Sequence, residues 1–151
     1  MNNVSLIKPS VHTDIDKRII SAFADLSTVS KNMNLAIFTT SFDANIPNKN
    51  FPILPIYESK YEYGTAVVWD ILTLDLIKNF PNYSKVLFFL PEEVPWLSNR
   101  HINVQIWKQL FMNDRTDIYI CSIAMYELFK LTFGKGNYLS ILEKETLNEI
   151  L

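Results

Sequence analysis

Short apolar segments that alternate with longer amphipathic segments are the feature that most constrains the fold of this chain. The clearest short segment is SKVLFFLP (84–91), and NLAIFTTS (34–41) and TAVVWD (65–70) have the same character. Their apolar residues follow one another with little polar alternation, so we expect both faces of each strand to be buried. The segment at 14–30 instead repeats apolar residues at helical spacing. Buried strands separated by helices are typical of a parallel sheet.

The complete alternation predicts an α/β fold. Strands are predicted at 3–8, 34–41, 51–58, 65–70, 84–91, 116–122 and 137–142, and helices at 14–30, 71–81, 103–113, 123–134 and 144–151. Pro52 and Pro55 cannot donate to a ladder, so the third strand is placed at an edge of the sheet or outside it. We therefore predict an open, doubly wound, mostly parallel Rossmann-like sheet of about five to seven strands, folded as a single domain over residues 1–151.

Composition excludes several classes of site. The chain has only three glycines and contains neither a G-x-G-x-x-G motif nor a P-loop, so no glycine-rich phosphate cradle is expected. A net charge of −2 does not favour a general clamp on a nucleic-acid backbone. One cysteine, Cys121, and two histidines distant in sequence leave no disulfide and no zinc motif. We expect no metal ion and no resident cofactor.

Targeting signals are also missing from the sequence. The first residues do not combine a basic region with a long apolar segment, and no apolar run approaches the roughly 20 residues of a membrane helix. The sequence therefore predicts a cytoplasmic protein with no membrane contact.

The functional site is predicted at one edge of the sheet. Ligands of doubly wound sheets bind outside the carboxyl ends of the strands, near the point where the strand order reverses. The segments that leave the predicted strands are KPSVHT, TTSFD, WDILT, PEEVPW and CSIAM. They carry the polar residues Lys8, Ser10, His12, Thr13, Asp14, Ser41, Asp43, Asp70, Thr73, Glu92, Glu93 and Ser122.

His12 is the histidine that follows a predicted strand, and a histidine near Asp14 at that position is suited to act as a general base toward a hydroxyl. Helix capping is the alternative for its neighbours. Thr13 or Asp14 would cap the helix at 14, Asp70 or Thr73 the helix at 71, and Ser122 the helix at 123.

The segment PEEVPW leaves two alternatives open. Glu92 and Glu93 either face a ligand or are first-turn acids that the helix dipole favours. Trp96 either stacks on a ligand or covers the core.

From residue 65 onward, the order of these features resembles the small phage-encoded glycosyltransferases of the GT-B type, which are built from Rossmann-like halves. The matching pieces are a strand ending in WD, the helix LTLDLIKNFPN, the strand KVLFFLPEEVPWL, the helix NVQIWKQLFMN, the strand DIYICS and the helix MYELFKLTFGK before SILEKETLNEIL. The residues that carry the resemblance are Phe80, Pro81, Phe88, Phe89, Glu93, Trp96, Ser122 and Tyr126. It covers a little over half of the chain.

The resemblance implies a nucleotide-sugar donor and transfer of the sugar to a hydroxyl. The hydroxymethyl group of modified cytosine in phage DNA is one such acceptor, which would make DNA a partner and the host cytoplasm the location. The candidate bases are His12, Asp14 and Asp70. The candidate ligand-binding residues are Lys8, Ser10, Thr13, Ser41, Glu93, Trp96 and Ser122. Backbone amides at the helix that begins near Ser122 would neutralise the leaving diphosphate.

A GT-B enzyme needs two Rossmann-like halves, whereas 151 residues supply one. The chain would then be a compact single-domain variant, a homodimer with the cleft between subunits, or a remnant that binds without catalysing.

Two other functions remain open. A non-catalytic phage accessory protein would use the same half-fold to bind a host protein, and the aromatic content of 13% together with the acidic net charge favours this. A small nucleotide-processing enzyme on a flavodoxin-like sheet is disfavoured, because TTSFD is the only candidate phosphate loop.

Overall fold

A computed structural model of the chain describes residues 2–43, 45–46, 50–90 and 104–151, with the backbone alone at 104. The elements, in chain order, are β1 (Asn2–Ile7), β2 (Ser10–Val11), α1 (Asp14–Val29), β3 (Met33–Thr39), β4 (Ser41–Phe42), β5 (Ile53–Pro55), a 3-10 helix (Ile56–Tyr61), β6 (Gly64–Val68), α2 (Ile71–Ile77), β7 (Tyr83–Leu90), α3 (Val104–Phe111), β8 (Thr116–Ile120), α4 (Ile123–Phe133), β9 (Asn137–Tyr138) and α5 (Lys144–Ile150).

Seven strands form one all-parallel sheet in the order β5-β3-β1-β6-β7-β8-β9. The chain moves outward from β1 through β3 to β5. It then returns to pair β6 with the other side of β1 and continues outward through β7 to β9. The strand order therefore reverses between β1 and β6, which is the switch point of a doubly wound sheet. The predicted fold class is confirmed.

Helices cover both faces of the sheet. On one face, α1 and α5 pack on side chains such as Val67, Leu87 and Phe89. On the other face, α2, α3 and α4 pack on the alternate residues of the same strands, including Val86 and Phe88. This alternation along β7 explains its continuous apolar sequence, because each face of the strand meets its own helical layer.

Two predicted strands are much shorter in the structure. The strand predicted at 51–58 is only Ile53–Pro55, at an edge of the sheet, and a 3-10 helix follows it. Pro52 before the strand and Pro55 at its end limit the ladder because they lack an N–H group. The strand predicted at 137–142 is only Asn137–Tyr138, at the opposite edge.

The helix predicted at 71–81 ends at Ile77 in the structure, and the side chain of Arg115 binds carbonyl groups at this end and just beyond it. The guanidinium of Arg115 donates to the carbonyl oxygens of Ile77 and Lys78 at 3.0 and 3.3 Å. It also donates to those of Phe80 and Tyr83 at 2.6 and 2.9 Å. These bonds satisfy the carbonyls that the end of a helix leaves without partners.

A second, two-stranded sheet stands at the carboxyl edge of the main one. After β1 and β3 end, the chain pairs again as β2 and β4, with Ser10 opposite Ser41. The carbonyl of Pro9 accepts from the backbone N–H groups of Thr40 and Ser41 and from the hydroxyl of Thr39. This pairing was not predicted from the sequence, and it fixes the segment that leads to His12.

Candidate functional site at the switch point

The switch point brings together the segments that follow β1 and β6. Lys8 is the first residue after β1, and Trp69 and Asp70 are the first two after β6. β1 and β6 are neighbours in the sheet, so their carboxyl ends lie about 4.8 Å apart. Of the predicted site residues, Lys8, His12 and Thr13 meet here because each bonds to one carboxylate, that of Asp16. Ser10 and Ser41 pair beside them, on the β3 side of β1.

Asp16, in the first turn of α1, is the centre of this cluster. Its side chain is fully buried. The carboxylate forms an ion pair with the ammonium of Lys8 and accepts a hydrogen bond from Nε1 of Trp69 at 2.7 Å. It also accepts from the backbone N–H groups of His12 and Thr13, each at 3.0 Å. The hydroxyl of Thr13 accepts from the N–H of Asp16 in return, which completes a capping box.

These contacts control the protonation of Asp16. Burial alone would raise the pKa of this carboxyl, but the bonds from Lys8, Trp69 and the two backbone amides outweigh it and lower the pKa to about 2. The carboxylate therefore stays ionised at neutral pH. A base with so low a pKa has little tendency to take a proton from a hydroxyl, so Asp16 is not suited to general-base catalysis.

The low pKa predicts a specific acid dependence of stability. Because the folded-state pKa lies below the ordinary value of 3.8, Asp16 stabilises the fold above pH 4. This contribution, about 2 kcal/mol, is lost as the pH falls from about 4 to about 2. Urea unfolding at pH 5 and pH 2 measures the loss. The variant Asp16→Asn cannot titrate at this position and should lose about 2 kcal/mol less; equal losses in the two proteins would contradict the assignment.

His12 is exposed at the rim of the cluster. Its Nδ1 lies 3.0 Å from the hydroxyl oxygen of Ser10, and Asp16 holds its backbone N–H. The ring and the backbone of this residue are therefore each held by a separate partner. For Nε2 to accept a proton from a bound hydroxyl, Nδ1 carries the ring hydrogen and donates it to Ser10.

Other predicted residues have capping roles. Thr13 is the N-cap of α1, and Asp14 is the first helical residue and is exposed. Asp70 is the N-cap of α2, and its carboxylate accepts from the N–H of Thr73 at 2.9 Å and from the Thr73 hydroxyl at 2.6 Å. Catalytic roles for Asp14 and Asp70 stay predictions.

Ser122 is the N-cap of α4, where its hydroxyl accepts from the N–H of Met125. It follows β8, which stands three strands away from β1. Three spacings amount to roughly 14 Å, so the structure does not bring Ser122 to the β1–β6 cluster. Its predicted role in ligand binding is therefore separate from that of His12. The predicted residues Glu92, Glu93 and Trp96 lie outside the described residues.

The charges at this edge are mixed. Among the described residues, Lys8 is paired with Asp16, and the acids Asp14, Asp43 and Asp70 follow β1, β3 and β6, whereas Lys17 and Arg18 lie near the start of α1. The first turn of α1 already contains two carboxylates. The first turn of α4 contains none, so its N-terminus is better suited to a phosphate than that of α1.

Neither Asp16 nor a polar role for Trp69 was predicted from the sequence. Trp69 packs in the core, and its N–H also binds a carboxylate. The spacing Thr13-x-x-Asp16 resembles a capping box and could have drawn attention to Asp16. Nothing local in the sequence shows that its partner lies 53 residues away.

A cavity of about 270 Å³ lies away from this cluster, between α2 and α3. Its polar wall includes Arg115, whose bonds to the end of α2 already account for the guanidinium. That arginine therefore does not by itself indicate a ligand.

Within the described ranges, no group of three or more His, Cys, Asp or Glu side chains is placed to hold a metal ion. The same part of the chain has no helix whose length and apolar character would let it cross a membrane. Comparison with known proteins found no matching family model, no matching curated protein and no matching solved structure. Function is therefore inferred from the fold and from the side chains at the switch point.

Proposed function

We propose that this chain is a glycosyltransferase-like protein in which His12 activates an acceptor hydroxyl at the carboxyl edge of β1 and β6. The observation that carries the proposal is the placement of His12. It is exposed at the switch point, its Nδ1 is 3.0 Å from Ser10, and its backbone is anchored by a buried carboxylate. A general base needs this combination of access and fixed orientation.

In the proposed reaction, the acceptor oxygen attacks the anomeric carbon of a nucleotide sugar. The C–O bond to the diphosphate breaks as the new glycosidic bond forms, and the acceptor proton passes to Nε2 of His12. The nucleoside diphosphate leaves with the electron pair of the broken bond. Asp14 is the second candidate base, because it is exposed and close to His12 in the chain.

The leaving diphosphate needs hydrogen-bond donors of its own. Reacting atoms approach to about 3–3.5 Å, so the diphosphate must lie close to the acceptor oxygen. Of the N-termini of α1 and α4, that of α4 is better suited to a phosphate. It lies roughly 14 Å from β1 across the sheet. We therefore propose that a second chain, such as another copy, faces this edge and supplies the donors.

A thermal-shift panel of uridine and guanosine diphosphate sugars tests the proposal. At least one sugar nucleotide should raise the Tm, and addition of an acceptor should produce a glycosylated product detectable by mass spectrometry. Duplex DNA with hydroxymethylated cytosine is one acceptor to include, with unmodified DNA of the same sequence as its control. If every nucleotide sugar leaves the Tm unchanged at millimolar concentration, the proposal is wrong.

Exposed apolar side chains favour a second candidate function, a non-catalytic accessory protein that binds a host protein. Leu72 on α2 is 77% exposed and Leu131 on α4 is 85% exposed. Both helices belong to the layer on one face of the sheet, and Ile106, Met112, Ile123 and Leu128 of that layer are also exposed. Large exposed apolar patches often mark sites of protein interaction.

The double variant Leu72→Glu/Leu131→Glu separates the two functions. If the helical layer binds a host protein, these charges should abolish co-purification of that partner and leave the response to nucleotide sugars unchanged. Glu127→Gln, an exposed change on the same α4, is the matched control. Retention of the partner by the double variant would contradict binding through this face.

A further inference from the structure

We infer that Asp16 is a positioning residue, which fixes the turn that carries His12 relative to the switch point. The inference deepens the proposed function and rests on it for its catalytic consequence. Asp16 connects three segments of the chain: the end of β1, the end of β6, and the turn between β2 and α1.

The two oxygens of the Asp16 carboxylate have different partners. Oδ1 receives the ammonium of Lys8 and Nε1 of Trp69, which follow β1 and β6. Oδ2 receives the backbone N–H groups of His12 and Thr13. One oxygen is thus bound to the sheet and the other to the turn. The carboxylate therefore links the ends of β1 and β6 to the backbone of His12 and fixes where that backbone lies.

A carboxylate meets these requirements, and an amide of the same length does not. Four donors point at two oxygens, and an asparagine offers one oxygen and an NH₂ group. In either orientation of the amide, its NH₂ would face two donors, and the bridge would lose either the sheet side or the turn side. Burial makes the loss costly, because water does not replace the missing acceptor.

Helix capping is the structural alternative, because Asp16 also completes the capping box of α1. A cap alone would affect stability and leave the environment of the His12 ring unchanged. A positioning residue would change the ring environment in protein that is still folded. The histidine ring resonances distinguish these roles, and the chain has only two histidines.

The experiment compares wild type, Asp16→Asn and Asp25→Asn by NMR of the backbone amides and histidine rings. Asp25 is an exposed aspartate on the same helix, so Asp25→Asn is matched in chemistry. In Asp16→Asn, the His12 amide and ring signals should shift or broaden, while those of Asp25→Asn match wild type. Where sugar transfer is measurable, kcat should fall at least ten-fold with KM within about three-fold.

Unchanged His12 signals in folded Asp16→Asn would overturn the inference, even if the Tm falls. If Asp16→Asn does not fold, Trp69→Phe takes its place, because it removes one donor from Oδ1 and keeps an aromatic ring at this position. An unshifted His12 amide in Trp69→Phe would then overturn the inference. Because NMR needs no turnover, absence of glycosyltransferase activity would refute the proposed function without deciding the role of Asp16.

Discussion

Replacement of His12 by alanine is expected to lower the rate of sugar transfer by about 10²–10⁴-fold, the range that a general base contributes. The free energy of unfolding should change by less than about 0.5 kcal/mol, because the ring is exposed. The loss should appear mainly in kcat, since the imidazole acts on the proton that moves in the transition state. Steady-state kinetics and urea unfolding of the same preparations measure the two effects.

Ser10→Ala gives a graded comparison. It keeps the imidazole and removes only the hydroxyl 3.0 Å from Nδ1, so its loss of turnover should be smaller than that of His12→Ala. Added imidazole should restore part of the activity of His12→Ala and none of that of a misfolded protein. A His12→Ala enzyme that loses turnover and stability in parallel would indicate a packing role and contradict general-base catalysis.

The architecture was predictable because its signals are local. The run SKVLFFLP corresponds to β7, which has a core on each face. Pro52 and Pro55 correctly predicted an edge strand, because a proline lacks the N–H group that a strand inside the sheet needs to pair on both sides. The pairing of β2 with β4 was not predictable in this way. Each strand has only two residues, too few to show an apolar pattern in the sequence, and backbone bonds to Pro9 together with the apolar packing of Val11 and Phe42 support them.

The candidate site was predictable only in part. The rule for doubly wound sheets placed Lys8, Ser10, His12 and Ser41 at one edge, and the structure brings them together. Asp16 was missed because its burial and ionisation depend on Trp69, a distant residue that reaches it only after β1 and β6 pair.

The charge of the site was also beyond local prediction. The sequence predicts Lys8 as a ligand-binding residue, but in the fold its ammonium is paired with Asp16. A lysine neutralised in this way adds little attraction for a diphosphate, whereas an unpaired lysine would add much. The proposed need for a second chain at this edge follows from that pairing and from the distance to α4.

The largest effect on stability is expected from Phe111→Ala, which should lower the free energy of unfolding by about 3–5 kcal/mol. Phe111 is fully buried, and its ring centroid lies 4.9 and 5.0 Å from those of Phe129 and Phe133 on α4 and 5.4 Å from that of Phe88 on β7. Removal of this ring leaves a cavity where α3, α4 and the sheet meet. The neighbouring side chains are held by their own backbones and cannot move in to fill it. Urea unfolding measures the change.

Met112→Ala is the matched control, because the next residue of the chain is 49% exposed. It should cost less than about 1 kcal/mol, since it removes little buried area. A domain of this size has about 5–15 kcal/mol of stability in total, so a loss of about 3–5 kcal/mol is a large fraction of it and should clearly lower the urea midpoint. A loss below about 1 kcal/mol for Phe111→Ala would mean that α3 does not pack on α4 and β7 as described. The layer that carries Leu72 and Leu131 would then need a different account.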